Sequence, residues 1–171
     1  GYELGSGRHK TLHTLRREQV DRGPLMIATG HYWNLDGTEA VFEQATVVNG
    51  KLLKYVLEQK QTGQNGSVIL NGGKAYFSWT KDGKTETSEE EVTSNFIVSP
   101  TTVSYLHAHW AELLEGNSLD VRYAALDRLE TVGFSFFKVG EKKVEGKDAI
   151  VVRMKPTSFI IAALVKPIHF T

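Results

Sequence analysis

Residues 39–61 read EAVFEQATVVNGKLLKYVLEQKQ, and how this stretch folds decides the architecture. Asn49-Gly50 supplies the two consecutive residues of positive φ that a type I′ turn requires, with β-formers on both sides. The flanks, 39–48 and 51–61, are therefore expected to pair as an antiparallel hairpin.

The same punctuation recurs outward from this hairpin. Asn34-Leu35-Asp36-Gly37, Gly63-Gln64-Asn65-Gly66, Asn71-Gly72-Gly73 and Lys81-Asp82-Gly83-Lys84 are turn clusters that cut out strands near 25–33, 67–70, 74–80 and 84–87. Strands added one hairpin at a time make a meander. Phe77 and Trp79 fall on one face of their strand and Tyr76 on the other, so one side of the sheet is bulky and apolar. The acidic run Ser88-Glu89-Glu90-Glu91 closes the meander as a solvated loop or edge.

After Ser99-Pro100 the period changes. Val103, Leu106, Trp110, Leu113 and Leu114 recur at helical spacing, Thr101 or Thr102 can cap the start and Gly116 can stop it, so an amphipathic helix is expected over 103–114. Strands near 119–125, 129–139 and 148–155 follow. Ile168-His169-Phe170-Thr171 reads as the start of a strand, and a closing partner strand is expected beyond Thr171. The expected fold is mainly β (α+β): one domain over 1–171, a strongly curved antiparallel sheet or incomplete β-barrel with one or two helices on its concave face.

Composition narrows the function classes. The 20 Lys and Arg balance the 20 Asp and Glu, so no net field draws in nucleic acid or an anionic membrane. The absence of cysteine excludes disulfides, thiolate metal sites and a cysteine nucleophile. Gly1 opens the chain without a charged-then-apolar leader, as an exported protein does after its signal is removed, and as a trimmed chain also would.

Local signatures of catalysis are missing. His107 and His109 lie two apart on the expected helix, about 200° around its axis, and cannot share one metal. His9 and His13 have helical metal-pair spacing, but Arg8, Lys10, Arg16 and Arg17 surround them, so 7–19 reads as a solvated basic strand or helix. Asn71-Gly72-Gly73-Lys74 joins two strands, whereas a phosphate loop opens a helix. Asp127, Arg128 and Glu130 form a charged knot, and Arg122 or Arg128 is the polar anchor on offer for a ligand carboxylate.

What remains is apolar. Phe134, Phe136 and Phe137 share a strand with Val132, and the run 159–165 in KPTSFIIAALVKP is apolar on nearly every side. It is too short to span a bilayer, which takes about 20 residues. A short helix is expected of this run, filling the core or walling a cavity. Trp79, Trp110, Phe134, Phe136, Phe159, Ile160 and Leu164 are the candidate lining residues.

The stretch FFKVGEKKVEGKDAIVVRMKP, residues 136–156, resembles the paired-strand signature of the outer-membrane lipoprotein-sorting superfamily. Val144, Gly146, Lys147, Val151, Val152, Met154 and Pro156 carry the likeness, and the order of meander, helix, strands, apolar helix and returning strand agrees with it. The resemblance implies an incomplete β-barrel plugged by helices at 103–114 and 158–165, a periplasmic or otherwise exported location, and acyl chains held without a cofactor. It carries over no catalytic residue. The expected function is non-enzymatic binding of a lipid or other hydrophobic small molecule, peripheral to the envelope. A structural or interaction module of the cell envelope with a filled core is the alternative, and a small-molecule enzyme on a calycin-like barrel the third.

Overall fold

This computed structural model describes residues 13–92, 95–144, 146–158 and 168–170. The chain is mainly β, and its described residues divide into two compact units. The first holds those up to Val92 together with 98–101 and 125–130; the second holds the rest. Of the helix expected over 158–165, residues 159–165 lie outside the described residues.

In the first unit, seven strands are hydrogen-bonded in sequence order: β1 (His13–Arg22), β2 (Leu25–Asn34), β3 (Glu39–Val48), β4 (Lys51–Gln59), β5 (Gln64–Asn71), β6 (Lys74–Lys81) and β7 (Lys84–Glu91). Every neighbouring pair is antiparallel, as hairpin connections dictate. Asn49 at φ 52° and Gly50 at φ 74° make the β3–β4 turn in the left-handed region. A cross-strand row of Ala28, Ala45, Tyr55, Val68 and Phe77, all buried, forms the core on one face. A 3-10 turn at Ser99–Thr101 sits against β2 and β3, and another at Leu126–Arg128 against β5 and β6.

Of the basic segment 7–19, read as a strand or helix, the described residues from His13 onward are strand: β1 pairs with β2 along its whole length. Boundaries differ from the sequence reading at two of the clusters read as turn or loop. The acidic run belongs to β7, which continues to Glu91 because β6 offers it partners as far as Lys74. Gly66, read as turn punctuation, lies inside β5, where a Cβ would collide with the Trp79 ring on β6.

In the second unit, five strands follow the order β12 (Ile168–Phe170), β11 (Lys147–Pro156), β10 (Glu130–Val144), β9 (Leu119–Ala125) and β8 (Phe96–Ile97). Hydrogen bonding thus divides the strands between two sheets where the sequence reading has one, and β8 pairs with β9 in parallel. The helix expected over 103–114 is two pieces, α1 (Thr102–Ala108) and α2 (Trp110–Leu114). His109, at φ −108° and ψ 25°, leaves helical geometry between them; its ring lies 4.5 Å from that of Tyr105, and its Nδ1 is 2.7 Å from Glu112 Oε1. Gly116, at φ 88°, ends α2 as expected. Leu106, Leu113, Val121, Phe136, Val152 and Met154 lie at the heart of the core.

Candidate functional site

One row of paired residues crosses the entire seven-stranded sheet: Arg17, Gly30, Glu43, Leu57, Gly66, Trp79 and Glu86. Third in this row, Glu43 is 2 % exposed, a carboxyl group on the strand face that also carries buried Ala45 and Val47. A buried acid needs donors, and three hydroxyls supply them. Tyr32 donates to Oε1 at 3.0 Å, Ser99 to Oε1 at 2.8 Å and Tyr55 to Oε2 at 3.0 Å. Gly30 leaves the space that this carboxylate fills, since a Cβ there would lie 2.6 Å from Oε1. Arg17 Nη2 donates to Ser99 Oγ at 3.4 Å. The cluster ties the Ser99 turn to four strands of the sheet, β1 to β4, with its polar atoms turned toward one another.

On the opposite face His31 stacks on Trp33, with centroids 5.4 Å apart, and its Nδ1 lies 2.6 Å from Glu39 Oε1. Further along the row, Trp79 is 7 % exposed and contributes to a polar hollow with Gln64, Lys81, Lys84, Glu86 and Asp127. Arg128 Nε donates to Glu130 Oε1 at 2.6 Å on the surface. Such exposed pairs contribute little stability.

The second unit carries an open cleft of about 460 Å³. Trp110 and Leu114, one turn apart on α2, wall it; Ala149 and Ile150 of β11 lie beneath; Glu141, Lys142, Lys143 and Asp148 make its rim. Trp110 is 41 % and Leu114 49 % exposed, so the cleft presents apolar surface to solvent. Phe136, by contrast, is completely buried, and Phe134 packs beside the core with its ring edge-on to Tyr123. Arg122 is engaged by Thr131, donating from Nε to Oγ1 at 2.8 Å and from Nη2 to the carbonyl at 2.6 Å. Burial, with Glu112 and Asp120 adding to it, raises the Tyr105 phenol above its ordinary value.

No family model, curated protein or solved structure matches the chain. Of the candidates named from sequence, Trp110 lines the cleft, Phe136 belongs to the core of the same unit with Phe134 packed against it, and Arg122 braces two strands. Trp79 and Arg128 belong to the other compact unit. Phe159, Ile160 and Leu164 lie outside the described residues.

Sequence reasoning missed Leu114 as a cleft wall and the entire Glu43 cluster. A signal for Glu43 was present: it shares a strand face with Ala45 and Val47, so the period-two pattern places a carboxylate in an apolar row. Ser99 had no such signal, because its partner lies 56 residues away in sequence. Among the described residues no helix is long and apolar enough to cross a membrane.

Proposed function

We propose that this chain is a non-enzymatic module that holds a lipid or other hydrophobic small molecule, in the manner of an incomplete barrel whose helices face the ligand. The supporting observation is the cleft walled by Trp110 and Leu114: large apolar side chains left exposed together, floored by buried Ile150 and rimmed by charge. Exposed apolar patches with polar rims are binding surfaces more often than accidents. The volume falls within the usual range for small-molecule sites. Each methylene transferred from water into such a cleft gains about 0.8 kcal/mol, so an acyl chain needs few polar contacts. An exported, periplasmic setting belongs to the same proposal.

Native mass spectrometry of the purified protein, followed by displacement of a fluorescent fatty acid, tests this reading. Bound lipid or displaceable probe is expected, with binding weakened about ten-fold or more by Leu114→Asp while the far-ultraviolet spectrum is unchanged. Absence of both co-purifying lipid and displaceable probe overturns it. The filled core around Phe136 favours a second reading, an interaction module of the cell envelope acting through an exposed strand edge.

A further inference from the structure

The seven-stranded sheet ends on two edges of opposite charge. β1 carries Arg16, Arg17 and Arg22 against Glu18 and Asp21, whereas β7 carries Glu86, Glu89, Glu90 and Glu91 against Lys84. Among the described residues both are outermost strands of the sheet, with nine of ten residues exposed in β1 and six of eight in β7. Their registers with β2 and β6 run without a bulge, so each edge is a straight ladder of backbone donors and acceptors. Natural sheets blunt such edges with short strands, proline, bulges or charge. Only charge is used here, and opposite signs at the two edges repel like edges while attracting unlike ones.

Topology says how unlike edges would meet. Seven antiparallel strands in sequence order make β1 and β7 run in the same direction. A second copy displaced across the sheet therefore lays its β7 beside β1 in parallel, with matching faces aligned. The row that crosses the sheet begins at Arg17 and ends at Glu86, so its continuation into the next copy sets those two side chains opposite each other. In the same alignment Arg22 faces Glu91 and Gln19 faces Ser88. The one like-charge opposition, Asp21 with Glu90, has Arg22 as its immediate neighbour.

We propose that copies of this chain associate edge to edge, β1 of one against β7 of the next, through a parallel extension of the sheet guided by Arg17–Glu86 and Arg22–Glu91 pairs. The contact is head-to-tail and leaves a free edge of each kind at the ends, so growth does not stop at a dimer. It is independent of whether the cleft on the other unit binds lipid.

Sedimentation velocity on the full chain is the test. At low salt the weight-average mass should rise with concentration past 19.1 kDa and beyond a dimer, and at about 1 M salt, where the screening length is about 3 Å, it should fall back. R17E/R22E and E86K/E91K should each remain monomeric, and an equimolar mixture of the two should associate, because each variant then meets an edge of opposite sign. R22E alone leaves the Arg17 contact to Ser99 intact and should weaken association about ten-fold. A wild-type chain that stays at 19.1 kDa throughout, variants that associate as the wild type does, or a mixture that stays monomeric overturns the proposal.

Discussion

Replacing Glu43 with alanine removes the acceptor on which three hydroxyls converge, at a site only 2 % exposed. A hydrogen bond to a carboxylate contributes about 1.5–3 kcal/mol when measured by deletion. Tyr32 and Ser99 are half-buried, so water takes over part of their loss. Tyr55, at 4 % exposure, has much less access to solvent. One bond near full cost and two at reduced cost come to about 3–5 kcal/mol. Against a typical total of about 5–15 kcal/mol, that is a large share of the fold's stability. Urea denaturation followed by circular dichroism should show the midpoint falling with the slope unchanged. Glu43→Gln keeps the volume and one acceptor oxygen and should cost about 1–2 kcal/mol. Ser99→Ala should cost less than Glu43→Ala, since it deletes one of the three donors. A Glu43→Ala variant within about 0.5 kcal/mol of wild type would refute the reasoning, because a surface carboxylate would behave that way.

Gly66→Ala should destabilise by about 1–3 kcal/mol and shift the tryptophan emission, since the added Cβ meets the Trp79 ring and lies 2.6 Å from the Ser78 carbonyl oxygen; unchanged emission and stability would count against that close approach. Phe136→Ala should cost about 3–5 kcal/mol in the same urea assay, because the ring is completely buried and the surrounding core can close only partly over the gap. Burial raises the Tyr105 phenol above its ordinary value, so the fold favours the neutral ring. That contribution is fully present below about pH 10 and is lost as pH rises through the folded value, so Tyr105→Phe should flatten the fall of Tm with alkaline pH, and parallel profiles would contradict it. The Thr38 hydroxyl, helped by the Thr38 backbone N–H, lowers the Asp36 carboxyl below its ordinary value. This contribution holds above about pH 4 and is lost as pH falls, so in an NMR titration Thr38→Val should move the Asp36 midpoint upward.

The meander was legible wherever the determining interactions are local. Asn49-Gly50 specifies its turn through the φ values those two residues accept, and period-two patterning places Phe77 and Trp79 on one face before any partner strand is known. Boundaries were less legible where they depend on a neighbour. Gly66 carries a turn residue's signature, yet it stays in the strand because Trp79 occupies the space a side chain would need. Glu89 to Glu91 have low strand propensity, yet β6 holds them in β7, with Lys74 Nζ 2.6 Å from Glu89 Oε1. Helical spacing correctly marked Leu106 and Leu113 as core positions but carried no sign of the break at His109, where ring contacts to Tyr105 and Glu112 accompany the departure from helical geometry.

The candidate site divides along the same line. Trp110 was legible as a large member of the apolar helix stripe, and it lines the cleft. Phe136 has the same aromatic character and lies wholly inside the core, because β11 and the helices close over it. By itself the sequence determined turn positions, strand alternation, the apolar face of the helical segment and the opposite charge of β1 and β7, all properties of residues within a few positions of each other. Only the tertiary structure decided which apolar side chains are covered, and only it brought Ser99 to Glu43 and aligned Arg17 with Glu86 along one row, because hydrogen-bonded register relates residues far apart in the chain.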